Sequence, residues 1–586
     1  MLKNYFTVAL RNLLKNRIYS LINIFGLALG LTCCICIALY TLDEFSYDSF
    51  HTKADRIYRL TTERIEPTRK EKFKLANTTP AIAHIFQHQF PEVEHIGRMR
   101  NYRMLFYVGE FKSFQDEIYV SDRSIFNIFD VEWVSGNKES IFTDSTDIVL
   151  SETMAKKYFG QSNPVGQIIQ WRYSYDGTMK TLDMRVKAVY KDFPKNSHFH
   201  PAAFVNMTIF ELESAGLYTK YKLSQAWSDH SFYTYFSLKK DAQAHTIEAK
   251  LPDFVNKFVQ VPDEEQLKLG VKSSHYVLHI QKLKDIRLFS KLDTEISANA
   301  NGEISTIYLY LIINFFILIT ACINFINLST ARASNRAKEV GIRKVVGAQR
   351  YSLIYQFLGE TLIITLLAFI LAFSFAELVL PMFNAFTDKS LHLSALFSNI
   401  YYFFGLLLFI VFVSLLSGLY PAWVLSSFQP IQVLKGKWMG NPKGKTLRTV
   451  LVISQFAIAT IMVVGTLVTY YQLNFMRNKS LGYNKEHLIN LRYYSELKRN
   501  FDKFKADLID KNIITNVTHS SRIPSDRLLD NMSYTLKPNT EKNKDKSEFI
   551  LRSLSVGDDF LKLTKFLWQQ VGILKKDKPL TPTVLL

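Results

Sequence analysis

The sequence predicts an α-helical transmembrane protein, with about five membrane-crossing helices, that carries a large α+β domain outside the cytoplasm. Three observations lead there. Long runs without a single Asp, Glu, Lys or Arg alternate with ordinary charged sequence, so the mean hydropathy of +0.01 averages two distinct populations. Each run approaches or exceeds the roughly 20 apolar residues that a helix needs to cross the hydrocarbon of a bilayer. The Lys and Arg residues, which outnumber Asp and Glu by 71 to 52, crowd beside alternate ends of these runs, as the positive-inside rule requires.

Taken in order, residues 1–17 mix Leu, Tyr, Phe and Val with Lys3, Arg11, Lys15 and Arg17, which suits a basic amphipathic helix on the cytoplasmic membrane surface. No charge lies between Arg17 and Asp43, and the first span is placed at 18–42. It is too long for a signal-peptide core, no A-x-A site follows it, and Gly30-Leu31-Thr32-Cys33 is a poor lipobox, so it reads as an uncleaved anchor. Further spans fall at 304–331, 354–380 (interrupted by Glu360), 401–421 and 449–472. The segment 332–352 carries Arg332, Arg336, Lys338, Arg343, Lys344 and Arg350, and 422–448 carries Lys435, Lys437, Lys443, Lys445 and Arg448. The connection between the third and fourth spans has only Asp388 and Lys389. The expected topology puts the N-terminus, 332–352 and 422–448 inside, and 43–303, 382–400 and 478–586 outside.

Residues 43–303 alternate strand-like and helix-like pieces and are long enough for two subdomains. A helix is predicted at 81–90, ending before Pro91. A short strand at 147–150 leads into a helix with Ser151 as N-cap and Gly160 at its end. Residues 184–190 and 232–238 alternate like strands. The 4 cysteines, Cys33, Cys34, Cys36 and Cys322, all fall in the first two spans, where thiols act as packing residues. The outer region therefore has no disulfide and must be held by its core.

The net charge of +19 is explained by membrane topology, and no nucleic-acid motif accompanies it. Gly440-Asn-Pro-Lys-Gly-Lys-Thr446 imitates a phosphate loop, but the Walker spacing puts Met439 where the first Gly belongs, and a membrane span follows instead of a soluble βα unit. It reads as a flexible basic linker, and no other stretch offers a nucleotide site, so the chain is predicted not to be an enzyme. His84, His88 and His95 lack a further metal ligand and are expected at the surface, and His198 and His200 in loops. Glu360 is expected as an interfacial or helix-packing carboxylate, the rival reading being an ion ligand.

The segment after the second span is more informative. On a helix, Arg332, Arg336, Glu339 and Arg343 form a charged stripe, and Ala333, Ala337 and Val340 a small apolar one. A solvated basic face is the plain reading. The functional one is a docking helix whose small residues permit close approach and whose charges fix register with a partner.

Here the chain resembles the MacB/FtsX-type permeases, the membrane subunits of ABC transporters. Glu339-Val-Gly-Ile-Arg-Lys-Val-Val-Gly-Ala348 resembles the signature that follows their second transmembrane helix. Asn4-Tyr-Phe with Arg11-Asn-Leu-Leu-Lys-Asn16 resembles their N-terminus, and Asp43-Glu-Phe-Ser-Tyr-Asp-Ser-Phe-His51 with Asp55-Arg-Ile-Tyr58 the exit of their first helix. Leu150-Ser-Glu-Thr, Tyr158-Phe-Gly and Asn163-Pro-Val-Gly166 resemble their periplasmic core domain, and Gly418-Leu-Tyr-Pro-Ala422 with Pro430 and Leu434-Lys-Gly436 the end of their fourth helix. The resemblance implies a coupling helix in which Arg336, Glu339, Val340, Gly341, Ile342, Arg343, Lys344, Gly347 and Ala348 dock on a separate ABC ATPase dimer. ATP and Mg belong to that partner, and no cofactor or metal is implied in this chain. It further implies a bacterial inner-membrane location, membrane lipid, a second permease chain and a periplasmic or outer-membrane protein as partners, no nucleic acid, and a stroke that drives efflux, lipoprotein extraction or hydrolase activation.

Two other classes compete. A membrane-anchored sensor or regulator of an envelope process would act without transport, and a secondary transporter would want charged or broken helices at the midplane. The docking helix favours the permease. The form resembled has two repeats and eight membrane helices. Residues 447–456 resemble the opening of the second repeat, so 478–586 is read as an incomplete second periplasmic domain. A shifted reading frame near Phe566 can spell a family-like continuation, which makes a frameshift the expectation there.

Overall fold

The computed structural model describes residues 11, 15, 17–65, 72–175, 178–212, 223–227, 229–259, 275–297, 300–331, 340–427, 442–481, 483–484, 486–491, 495–522, 531–535, 548–552 and 554–565. The amphipathic helix expected at 1–17 therefore lies almost entirely outside the described residues, as does the frameshift reading near Phe566.

Helix α1 (Arg17–Phe45) leads through a connection that ends in a short 3-10 helix (Ala54–Arg56) into β1 (Ile57–Ile65) and β2 (Lys72–Leu75). There follow α2 (Pro80–Gln89), the long pair β3 (Val93–Val108) and β4 (Phe111–Ser121), β5 (Trp133–Gly136), β6 (Asp147–Ser151) and α3 (Glu152–Phe159). The hairpin β7 (Ile168–Tyr175) and β8 (Thr178–Tyr190), β9 (Ala203–Asn206), β10 (Tyr233–Leu238), α4 (Ala244–Phe254) and β11 (His275–Lys282) complete the outer domain. The strands form one 11-stranded sheet in the order β11-β1-β10-β3-β4-β9-β6-β8-β5, with β2 added on β1 and β7 bridging β3 and β8. The β4–β9 and β6–β8 pairings are parallel. The expected α+β class is thus observed, with a single sheet running through a region long enough for two subdomains.

Local signals explain the elements. Pro80 opens α2, where its missing N–H costs nothing. Ser151 Oγ accepts from the Met154 N–H at 3.2 Å, and Gly160, at φ +59°, closes α3. Ser151→Ala is expected to cost about 1 kcal/mol of stability. Urea unfolding followed by tryptophan fluorescence checks it, and an unchanged midpoint would show the cap to be dispensable. Strand β6 is buried along its whole length because it is flanked on both sides, by β8 and β9. The cores are dense in aromatics. Phe86, Phe236 and Phe254 pack where α2 and α4 cover β1 and β10. Ile118, Ile148, Met154 and Val186 pack under α3. Tyr119, Phe129, Phe199, Phe204 and Tyr235 form a third cluster, which also takes in Leu283, Ile286 and Ile296 on the way to the next membrane helix.

That helix is α5 (Ile304–Ala331), followed by α6 (Arg350–Thr387), α7 (Ile400–Ser426) and α8 (Pro442–Asn478). With α1, these are, among the described residues, the 5 helices long and apolar enough to cross a membrane. Helix α6 has 38 residues and is about 57 Å long at 1.5 Å per residue, well beyond the ~30 Å hydrocarbon core. Residues 442–446 of the phosphate-loop-like stretch, expected as a flexible linker, are instead the opening of α8.

Helices α1, α5, α6 and α7 share a core of Leu27, Leu31, Cys34, Cys322, Ala368, Ala372 and Val413. Lipid cannot drive such packing by the hydrophobic effect, so close approach at small residues carries it. A Cβ at Gly30 would sit 2.8 Å from Ala321 Cβ, and one at Gly418 2.8 Å from Thr361 Oγ1 and 3.0 Å from Thr361 Cβ.

The chain divides into a unit of residues 1–460 and a second of 461–586. Beyond the end of α8, the second unit contains helix α9 (Phe501–Asp510) and the antiparallel pair β12 (Asn531–Thr535) and β13 (Glu548–Arg552). Its segments are tied by Lys505 to Asp559 and by the Gly557 N–H to the His519 carbonyl at 2.8 Å.

Candidate functional site

Two of the predicted docking residues, Arg336 and Glu339, lie outside the described residues, together with the rest of 332–339. The remainder forms a compact hook. Residues 340–345 are helical, and Gly347 at φ +99° stops the helix. The Ala348 N–H donates to the Arg343 carbonyl at 2.9 Å and the Gly347 N–H to the Lys344 carbonyl at 3.1 Å, the paired bonds of a Schellman ending. This accounts physically for the Gly347-Ala348 pair of the motif.

Val340 is buried and packs with Leu353 and Phe357 of α6 and Ala422 and Leu425 of α7. Arg343 Nη1 donates to Gln356 Oε1 at 2.7 Å, and Gln356 Nε2 lies 3.4 Å from Glu360 Oε1. Glu360 is thus a buried helix-packing carboxylate. Lys344 Nζ donates to the Ser426 carbonyl at 2.6 Å, placing a cation on the C-terminal end of α7, where the helix dipole favours it. Burial and the neighbouring Arg350 pull the Lys344 ammonium below the usual lysine range. Arg350 Nε is 3.4 Å from Ser426 Oγ, and its guanidinium lies over the Trp423 ring.

The charges were expected to face a partner. Arg343, the one member of the charged stripe among the described residues, instead reaches Gln356 in its own α6, and Lys344 turns onto α7. The reason is spacing: a helix of less than two turns presents one side to the bundle, and Val340, Arg343 and Lys344 share it. Among residues 340–348 the exposed side chains are apolar. Ile342, Val345 and Val346 are 57%, 65% and 83% exposed, and Tyr351 and Tyr355 at the start of α6 are exposed too. Residues 340–348 contain no Ser, Thr, Cys, His, Asp or Glu.

A second constellation escaped the sequence. His198 lies in a loop as expected, but it is fully enclosed. Its Nδ1 is 2.9 Å from Asp48 Oδ1 and its Nε2 2.8 Å from Tyr235 Oη. Asp48 also accepts from the His198 backbone N–H at 3.2 Å and from Ser197 Oγ at 3.3 Å. Arg59, whose charge Tyr235 also favours, is fully buried as well. Arg59 Nη1 meets Glu295 Oε2 at 2.5 Å, Nη2 meets Glu295 Oε1 at 2.8 Å and Ser290 Oγ at 3.0 Å, and Nε meets Gln281 Oε1 at 2.9 Å. Burial opposes both charges, but the pairing outweighs it: Arg59 is pushed above its ordinary range and Glu295 held below the carboxylate range. His51 next to this chain is held to about 4 by burial. A polar chain sealed from solvent fixes structure rather than meeting substrate. His84 and His88 are exposed on α2 with rings 5.3 Å apart, and among the described residues no group of three or more His, Cys, Asp or Glu is placed to hold a metal.

Comparison with known proteins gives the following. Residues 20–254 match the MacB-like periplasmic core domain, and residues 311–430 match the FtsX-like permease C-terminal domain. The macrolide export ATP-binding/permease protein MacB of Campylobacter jejuni is 29% identical over 178 residues, which are 30% of this chain and 27% of that protein. The MacB protein of Bdellovibrio bacteriovorus is 21% identical over 289 residues, 49% of this chain and 38% of that protein. The matches thus span between about a quarter and two fifths of those relatives. The crystal structure of the periplasmic region of MacB from Actinobacillus actinomycetemcomitans aligns at 13% identity and a TM-score of 0.25, over 39% of this chain and 90% of that one. The extracellular domain of the noncanonic ABC-type transporter YknZ from Gram-positive bacteria aligns at 12% identity and a TM-score of 0.25, over 38% and 99%.

Proposed function

Because this chain joins a MacB-like periplasmic core domain to an FtsX-like permease domain and is a MacB/FtsX-like permease, we propose that it is the membrane subunit of an ABC-type exporter, worked by a separate ATPase that docks on residues 340–348. The observation that carries this is the exposed apolar edge of Ile342, Val345 and Val346 on a segment whose buried side is tied to α6 and α7. An apolar edge outside the spans is costly to leave in water and suits a protein partner. The partner holds ATP and Mg, and its closure presses on the hook. Val340, Arg343 and Lys344 make the hook move with α6 and α7, and the outer domain receives the motion. In this arrangement the hook and N-terminus face the cytoplasm and the α+β domain faces the periplasm of a bacterial inner membrane.

Burying one such side chain is worth roughly 1.5–3 kcal/mol, and 1.4 kcal/mol is about tenfold in affinity. Val346→Asp is therefore expected to cut recovery of the ABC ATPase at least about tenfold. The check is affinity purification of the full chain in detergent, with the ATPase identified by its Walker peptides. Exposed Leu408 on α7 serves as control through Leu408→Ala. No ATPase with the unaltered chain, or equal recovery with both variants, overturns the docking assignment.

A further inference from the structure

At the ends of the membrane helices nearest the outer domain, four charges meet that no sequence motif marks as a set. Asp43 and Glu44 close α1, Arg287 lies on the lead-in to α5, and Lys389 lies just past the end of α6. Arg287 grips Glu44 through two parallel bonds, Nε to Oε2 and Nη2 to Oε1, each 2.8 Å. Lys389 Nζ is 2.8 Å from Glu44 Oε1 and 2.6 Å from Asp43 Oδ2, and donates to Tyr47 Oη at 3.0 Å. The Tyr47 ring is shared: the Arg287 guanidinium stands 4.3 Å from its centre and Lys389 Nζ 4.5 Å. The Glu44 side chain is 1% exposed and that of Lys389 7%. Burial opposes the Lys389 charge, yet its bonds to Asp43, Glu44 and Tyr47 outweigh this and hold it well above the usual lysine range.

Two carboxylates against two cations make a cluster of zero net charge. Such a cluster says little about stability, because desolvation offsets attraction. Its effect is on geometry. Moving any one segment away strands opposite charges in a nearly dry site, so the set opens together or not at all. The chain also closes over it. The Gly302 N–H donates to the Arg287 carbonyl at 2.6 Å, and a Cβ at Gly302 would stand 3.3 Å from both Arg287 Nε and Glu44 Oε2.

We infer that Asp43, Glu44, Arg287 and Lys389 form a clamp that locks the exit of α1, the lead-in to α5 and the α6–α7 connection into one rigid body, so that the outer domain turns with three membrane helices instead of swinging on linkers. The inference concerns how these ends are joined and holds whether or not an ATPase drives them.

Hydrogen exchange measured by mass spectrometry on the full chain in lipid nanodiscs tests it. Arg287→Gln is expected to speed exchange about tenfold or more in 283–303 and equally in 388–396. Lys389→Met is expected to do the same from the other side, with β3 and β8 unchanged in both. Gly302→Ala keeps all four charges and crowds the pair by a few tenths of an ångström. It is expected to raise exchange severalfold in both segments, and it answers the question if a charge variant fails to fold. Exchange that rises only in the segment carrying the substitution, or in neither, overturns the clamp.

Discussion

Arg59→Met is expected to destabilise the outer domain by about 3–5 kcal/mol at neutral pH, the usual cost of stranding one member of a buried ion pair. The residue has no solvent contact, and its guanidinium satisfies Glu295, Gln281 and Ser290 together. Replacing it with an apolar side chain of similar length leaves the volume filled but abandons the Glu295 carboxylate. Removing both charges, as Arg59→Met with Glu295→Leu, is expected to recover most of the loss, because no unpaired charge then remains. The sign of the pH dependence follows from Glu295. Its folded value lies below the ordinary one, so its contribution is present above about pH 4.3 and is lost as pH falls through the depressed value. In Arg59→Met the same carboxyl has lost its cation and is easier to protonate, so the gap between the variant and the unaltered protein is expected to narrow below about pH 4. Urea midpoints between pH 3.5 and 7.5 check this. A neutral-pH loss under about 1 kcal/mol would refute the account.

Gly418→Leu is expected to force α6 and α7 apart. Any Cβ at that position meets Thr361 Oγ1 at 2.8 Å and Thr361 Cβ at 3.0 Å, and the second of these is fixed to the backbone and cannot rotate away. Overpacking of this kind typically costs about 1–3 kcal/mol. The site lies one helical turn from Ala422, and Thr361 lies one turn from Phe357, so the strain falls on the cluster that seats Val340. Two losses are expected together: a lower thermal midpoint in detergent, and at least about tenfold weaker recovery of the docked ATPase. Gly405→Leu on the same helix meets nothing within 4 Å and is expected to be silent in both measurements. A stable Gly418→Leu chain with normal recovery would show that the crossing does not seat the hook.

The sequence carried the spans clearly because their signal is local: a run without charge is visible whatever it packs against. It also marked 339–348 as unusual and supplied Gly347 and Gly418, but not what either glycine does. The reasons lie elsewhere in the fold, in a Schellman ending and in the nearness of Thr361. Of the charged stripe only Arg343 is described, and its bond to Gln356 depends on a neighbouring helix that a local pattern does not show. His198 was legible as a loop residue but not as a buried one, and the clamp was not legible as a set. Asp48 and His198 are joined across 150 positions, Glu44 and Arg287 across 243, and Asp43 and Lys389 across 346. No local pattern registers pairs so distant, and burial alone turns them from surface charges into determinants of shape.

Helix α6 begins beside the hook, where Arg350 approaches Ser426 and Gln356 receives Arg343, and Lys389 follows two residues after its last, Thr387. Its hydrogen bonds run along the axis and resist compression. Under the proposed function, a push on the hook would make such a helix act as a push-rod held at both ends. Bending is the soft mode that would waste such travel. Pro381, the residue that removes an axial hydrogen bond, stands in the last two turns, where a bend would steer the tip and shorten such a stroke least.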